Sequence, residues 1–225
     1  MSEVLEPKKA SAAGTVASAE PVYALMDQRP ADMSGAQSPL SRFRWQVSSS
    51  GQNVGVVARE LALLGHLILR GNVANADFVK GSAEVLGVEL PSTLQSNSKG
   101  NVVVRWLAPD EWLITVPGEQ TFAMESALRN RLSGHYSLVN VSGGQTLLVL
   151  SGPNAVDVLR KSCHYDVHKS SFPVGKVVGT TFAKSQCVIR RVAEQEWELV
   201  IRRSFADYLG AWIQDAAQEY GFAVK

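Results

Sequence analysis

The stretch Trp106 to Val116, WLAPDEWLITV, constrains the fold more than any other part of the chain. Val102, Val104 and Trp106 alternate with Val103, Arg105 and Leu107. Beyond the polar turn Ala108-Pro109-Asp110-Glu111, Trp112, Ile114 and Val116 alternate with Leu113 and Thr115. A period of two on both sides of a Pro-Asp turn predicts a β-hairpin. Pro109 fixes its own φ, and Asp110 can accept hydrogen bonds from nearby backbone N–H groups, so the turn has a mechanism. Helix-like segments lie on both sides, which places the hairpin at the centre of a sheet.

Upstream, residues 56–70 contain at least one strand, closed by Gly71. Asp77 is the expected cap of a helix over 77–86, with Val79, Ala83 and Leu86 on one face and Gly87 after its end. Ser92 to Gly100 reads as a polar loop. Downstream, a second helix is expected over 119–132, with Met124, Ala127, Leu128 and Leu132 on one face, followed by a strand from Leu138 to Val141. The order from about residue 63 to 141 is thus β-α-β-β-α-β, the split βαβ or ferredoxin-like unit. Such a unit hides one face of an antiparallel sheet under two helices.

A partial echo follows. Thr146 to Leu150 is an apolar strand, and Gly152-Pro153 turns the chain with Pro at the first helical position. Val156, Leu159 and Cys163 share a helical face. Strands are expected near 176–183, 186–192 and 196–203. Ser204 to Asp207 resembles a capping box. Phe205, Leu209, Trp212, Ile213, Ala216 and Tyr220 then form an apolar helical stripe ended by Gly221. Gly210 inside that helix costs about 1 kcal/mol against Ala, which implies a close helix contact there. The fold class expected from the residues is α+β, with two ferredoxin-like (split βαβ) units and antiparallel sheets.

Residues 1–40 differ. They hold four of the nine prolines (Pro7, Pro21, Pro30, Pro39), many Ala and Ser, and no sustained period. This predicts an extended or disordered arm without its own core. Val22, Tyr23, Leu25 and Met26 would give it apolar groups to bury on a partner. Order is expected from Ser41, where Phe43, Trp45 and Val47 alternate, so the domain boundaries are 1–40 and 41–225.

The net charge of +1 provides no broad attraction to nucleic acid or anionic membrane. Two cysteines, Cys163 and Cys187, suggest a reducing compartment without a disulfide framework. No run of about 18 apolar residues is present, and the N-terminus lacks a secretory apolar core. The expected location is the cytoplasm.

No constellation of catalytic residues stands out. Asp110 and Glu111 are adjacent, and neighbours in a hairpin tend to point to opposite faces; a turn-stabilising Asp and a solvated Glu are expected, not an acid/base pair. Cys163, His164 and His168 lack the spacing and fourth ligand of a zinc site. His66 and His135 stand beside glycines and are expected in loops. Ser151-Gly152-Pro153 and Gly143-Gly144 match neither phosphate-binding glycine motif, and no nucleophile elbow is present. Arg190-Arg191 and Arg202-Arg203 fall on neighbouring strands of one hairpin. They suggest a solvated face or, alternatively, an interface or anion site. The expectation is therefore no catalytic, cofactor-binding or metal residue in this chain.

Four stretches carry a family resemblance: APDEWL (Ala108–Leu113), SGPNAVDVL (Ser151–Leu159), LRG ending at Gly71, and RSFADYLGAWIQDAAQEYG (Arg203–Gly221). Ser38-Pro39-Leu40 also fits. Together, over about residues 38–223, they resemble the gamma subunit of heterotetrameric sarcosine oxidase. That family is similar to the first domain of the glycine-cleavage aminomethyltransferase, which implies a folate-binding-like α+β domain over 41–225. With Lys225 as the last residue, the C-terminal barrel of a full aminomethyltransferase is not expected. Lys161-Ser162-Cys163-His164-Tyr165 does not match the K-G-C-[YF]-x-G-Q element of related folate-dependent proteins.

The resemblance implies a complex that oxidises sarcosine to glycine with hydrogen peroxide, passing the one-carbon unit to tetrahydrofolate as co-substrate. It implies alpha, beta and delta partners, with alpha the main contact. FAD, FMN, NAD and zinc would reside in those other subunits, and this chain would play a structural role. The competing expectation is a free-standing folate-binding one-carbon enzyme or carrier, with a pocket between its two halves.

Overall fold

The computed structural model describes residues 35–48 and 54–225. Most of the expected arm, including Pro7, Pro21, Pro30 and Val22 to Met26, lies outside them. The described residues form two sheets. The first unit contains β2 (Gly65–Gly71), α1 (Ala76–Leu86), β3 (Ser96–Lys99), β4 (Val102–Ala108), β5 (Glu111–Val116), α2 (Thr121–Arg131) and β6 (Tyr136–Asn140). The second contains β7 (Gln145–Ser151), α3 (Ala155–Ser162), β8 (Val177–Phe182), β9 (Ser185–Ala193), β10 (Glu196–Arg202), α4 (Ala206–Ala217) and β11 (Phe222–Val224). The same order, β-α-β-β-β-α-β, therefore occurs twice.

The first sheet has the order β3-β4-β5-β2-β6. Without the edge strand β3, that is the ferredoxin-like arrangement read from the hydrophobic pattern. The second has the order β11-β1-β7-β10-β9-β8. Here β1 (Val56–Leu61) is inserted between the first and last strands of its unit. It pairs antiparallel with β7 and parallel with β11. One strand from ahead of the first unit thus completes the sheet of the second.

Alternation explains how the layers stack. In β4 and β5, Val104, Trp112, Ile114 and Val116 pack with Phe78, Leu86, Leu128 and Leu132 from the segments of α1 and α2. In β7 and β10, Leu148, Leu150, Trp197, Leu199 and Ile201 pack with Val158, Leu159, Leu209 and Ile213 from α3 and α4. The opposite faces of the two sheets meet through Leu113, Leu147, Val149 and Val200. The result is four layers, with a helix pair outside each sheet. Backbone bonds also join the sheets at one side. Ser96 N–H donates to Gly175 O at 2.9 Å, and Val177 N–H donates to Leu94 O at 2.9 Å.

Several boundaries differ from expectation for identifiable reasons. Asn75, not Asp77, caps α1, its side chain accepting from the Asp77 and Phe78 N–H groups. Gly87 ends that helix with φ +69, as its position suggested. The polar stretch after Ser92 contains β3, whose pairing with β4 needs no apolar alternation at a sheet edge. Pro153 sits in the turn before α3, two residues ahead of its first helical residue, Ala155. The Ser204–Asp207 capping box does not form; Arg203–Phe205 is a 3-10 turn, and α4 begins without a side-chain cap. Gly210 makes a close approach, but to a ring of the N-terminal segment and not to a helix: a Cβ there would lie 3.1 Å from Phe43. Ser38 and Leu40, within the expected arm, are buried. Among the described residues, no helix is long and apolar enough to cross a membrane.

Candidate functional site

The joint between the sheets carries the strongest electrostatics. Arg105 occupies the inter-sheet parity of β4, between Val103 and Leu107, and its side chain is 1% exposed. Its Nη2 donates to Glu198 Oε2 on β10, and its Nη1 donates to Thr115 Oγ1 on β5 at 2.7 Å. The same Glu198 oxygen accepts from Arg190 Nη1 on β9 at 3.1 Å. Arg190 Nε donates to Ser96 Oγ at 2.9 Å, and that hydroxyl donates to Gly175 O at 2.7 Å. Cross-strand register explains the cluster, because Glu198 lies directly opposite Arg190, and Ser96 opposite Arg105.

Burial pushes the Glu198 carboxyl up, but the Arg105 and Arg190 charges and their hydrogen bonds outweigh it and hold it below the usual range. Burial lowers the Arg105 value, partly offset by Glu198. A carboxylate held ionised by two guanidinium groups is poorly suited to deliver or accept a proton near neutral pH. Its chemistry is that of a clamp between sheets.

His66, expected in a loop, lies in β2 and is fully buried. The sequence signal misled because its flanking Gly65 is itself a strand residue, and a Cβ there would collide with Thr121. Burial lowers the His66 pKa to about 4, and the nearby Arg105 charge acts in the same direction. His135 lies in a bend, as expected.

The four arginines of the β9–β10 hairpin separate. Arg190 joins the clamp. Arg191 points to the helix side, donating to Phe172 O at 2.9 Å and Glu194 O at 2.7 Å, with its guanidinium 5.2 Å from the Trp197 ring centre. Arg202 is exposed. Arg203 donates to Gly143 O at 2.7 Å and Gln37 O at 2.9 Å. The expected solvated face thus holds for Arg202 and Arg203, which are exposed, and not for Arg190 and Arg191, which are buried on opposite faces of β9 because successive strand residues alternate.

Asp110 and Glu111 both turn to Arg70, at 2.9 and 3.6 Å, where opposite faces had been expected. Cys163 is set apart from His168: its Sγ lies 3.7 Å from Tyr165 O, whereas His168 Nδ1 is 2.7 Å from Ser170 Oγ. Burial raises both cysteine thiols, Cys163 and Cys187. Among the described residues, no group of three or more His, Cys, Asp and Glu side chains could hold a metal ion. Ser151-Gly152-Pro153 forms a backbone crossing. Gly152 has φ +114, a Cβ on it would lie 2.4 Å from Gly55 O, and Asn154 N–H donates to that same oxygen at 3.0 Å.

Sequence reasoning missed the Arg105–Glu198–Arg190 cluster. The available signal was Arg105 itself, at an inward position of an otherwise apolar strand. Its partner could not be read because it lies on the other sheet.

Comparison with known proteins gives the family. Residues 70–219 match the family described as "Sarcosine oxidase, gamma subunit family". The sarcosine oxidase subunit gamma of Corynebacterium sp. (strain P-1) is 32% identical over 180 residues, covering 78% of this chain and 87% of the relative. That of an Arthrobacter species is 32% identical over 187 residues, covering 82% and 91%. A chain of the heterotetrameric sarcosine oxidase from Corynebacterium sp. U-96, in complex with pyrrole 2-carboxylate, superimposes with a TM-score of 0.76 at 28% identity, covering 83% of this chain and 96% of that one. The glycine cleavage system aminomethyltransferase T from Bartonella henselae shares the fold, with a TM-score of 0.58 at 15% identity over 76% of this chain and 47% of that one. By family match, identity and fold, the chain belongs to the sarcosine oxidase gamma subunit family.

Proposed function

We propose that this chain is a structural, non-catalytic subunit of a heterotetrameric sarcosine oxidase, an oxidoreductase complex. The observation that carries the reading is the likeness to sarcosine oxidase gamma subunits along most of their length. The chemistry of the inter-sheet joint supports it, because Glu198 is held ionised by two arginines inside the protein. The complex would convert sarcosine to glycine and hydrogen peroxide, with tetrahydrofolate accepting the one-carbon unit. FAD, FMN, NAD and zinc would be held by the alpha, beta and delta subunits, with alpha the main contact of this chain. The subunit would act in the cytoplasm by burying surface. Obligate interfaces run to about 2,000–5,000 Å², and the segment over residues 1–40 would add to that area beside the domain over 41–225.

A folate pocket between the two halves is less well supported. Leu113, Leu147, Val149 and Val200 fill the apolar part of that joint, and the Arg105–Glu198 pair occupies its polar part. The test is native mass spectrometry of the tagged chain purified from its own cells. One copy each of three other subunits, with flavin on them, is the expected result. A lone monomer or homodimer, above all one carrying a mass of folate size, would overturn the reading.

A further inference from the structure

Among the described residues, His66 Nε2, Gln145 Oε1 and Arg105 Nε are buried atoms of the joint without a hydrogen-bond partner, and Thr115, already bonded to Arg105, still has a hydroxyl proton to give. His66 Nδ1 lies 3.1 Å from Leu64 O. A carbonyl only accepts, so Nδ1 carries the proton of the neutral ring. Nε2 is then a bare acceptor, buried and with no partner among the described residues. Gln145 Oε1 is a second buried acceptor without a partner among them. Thr115 stands directly across from His66 in the β2–β5 pair. Its Oγ1 accepts from Arg105 Nη1, and a guanidinium cannot accept, so the hydroxyl proton is free to be donated.

The chain path leads from the backbone partners of His66 to Gln145 within a few residues. Val141 N–H donates to His66 O at 2.9 Å, and His66 N–H donates to Ser142 Oγ at 3.0 Å. The short turn Ser142–Gly144 then leads directly into Gln145, the first residue of β7. Gln145 has the strand parity of Leu147 and Val149, which face the first sheet.

We propose that a water molecule is bound between the sheets, donating to His66 Nε2 and Gln145 Oε1 and accepting from the Thr115 hydroxyl. Two acceptors and one donor complement a water, and about three hydrogen bonds are typical of a buried one. An apolar occupant would leave all three groups unmet. A cation is opposed by the Arg105 guanidinium, which already disfavours charge on His66. The ligand class is therefore neutral, water-sized, and both donor and acceptor. The site goes beyond the assembly role, since it concerns how the two halves of this one chain are held in register.

The test is a high-resolution crystal structure of the full chain in its assembled complex, with the Gln145→Leu variant alongside. The expected result is a density peak about 2.7–3.2 Å from His66 Nε2, Gln145 Oε1 and Thr115 Oγ1, lost or displaced in the variant. A dry joint, a direct His66–Thr115 bond, or a peak unmoved by Gln145→Leu would overturn the proposal.

Discussion

Arg105 on β4 and Glu198 on β10 are bonded across the joint between the two sheets, although 93 residues separate them in sequence. Arg190 binds the same carboxylate oxygen from the neighbouring strand. The pair is thus a cross-link between the two ferredoxin-like halves, and it holds two buried guanidinium groups with one buried carboxylate.

That imbalance sets the first prediction. Glu198→Gln removes the charge both arginines face and leaves Arg105 buried without compensation. Losing one partner of a buried pair costs about 3–5 kcal/mol. Replacing Arg105, Glu198 and Arg190 together by apolar residues of similar volume should cost much less, because no charge is then stranded. Urea unfolding of the single and triple variants measures both. A single variant no less stable than the triple would show that the clamp is not the origin of the loss.

His66 sets the pH dependence. Its folded value, about 4, lies below the unfolded 6.5. Above the unfolded value both states are neutral, and the stability is fully present. As pH falls between the two values, the unfolded chain binds a proton that the folded chain excludes. Stability therefore declines across that interval, by about 3 kcal/mol in total. In His66→Leu this contribution to the slope should vanish. Unfolding curves at steps between pH 7 and pH 4 provide the comparison, and equal slopes in the two proteins would refute the assignment.

Gly152 separates backbone strain from side-chain loss. With φ +114 and Gly55 O standing 2.4 Å from a would-be Cβ, Gly152→Ala forces β1 and the turn before α3 apart. The expected destabilisation exceeds about 1 kcal/mol. Gly179→Ala is the control: a Cβ there meets nothing within 4 Å, and no positive φ is required. Thermal unfolding should show a clear drop for the first and little change for the second.

What could be read from the sequence was local. The β4–β5 hairpin declared itself because each strand has one face on α1 and α2 and the other on the second sheet, so its period of two is strong. The stripe of α4 was visible for the same reason, with Leu209 and Ile213 buried. β3, Ser-Asn-Ser-Lys, was invisible because an edge strand can be held by pairing alone. The place of β1 between β7 and β11 depends on contacts with residues far along the chain, which no local pattern records. Arg105, His66 and Glu198 share that difficulty. The strand parity of Arg105 and Glu198 was legible, that of His66 was not because Gly65 suggested a loop, and whether an inward polar residue means misassignment or a buried partner depends on the opposite sheet. The opposite facing of Arg190 and Arg191 follows from alternation and could have been drawn from Trp197, Leu199 and Ile201 across the hairpin, whereas Arg203 lies in the 3-10 turn beyond β10.

Gly210 and Phe43 provide the last prediction. Alanine is better than glycine inside a helix by about 1 kcal/mol, so Gly210→Ala would ordinarily stabilise α4. Here the added methyl would stand 3.1–3.3 Å from three atoms of the Phe43 ring. That ring is held by an edge contact with Trp45, whose own ring packs toward Phe222. The N-terminal segment is further fixed where Ser48 N–H donates to Phe222 O at 3.0 Å. The ring therefore has little freedom to retreat, and Gly210→Ala alone should destabilise the protein. In a Phe43→Leu background the obstruction is gone, and the same substitution should stabilise by up to about 1 kcal/mol. The double-mutant cycle, measured by chemical denaturation, reads the change of sign directly. A stabilising Gly210→Ala in the presence of Phe43 would mean that the close approach is relieved by movement of the segment, and that this glycine is not needed to let the segment around Phe43 lie against α4.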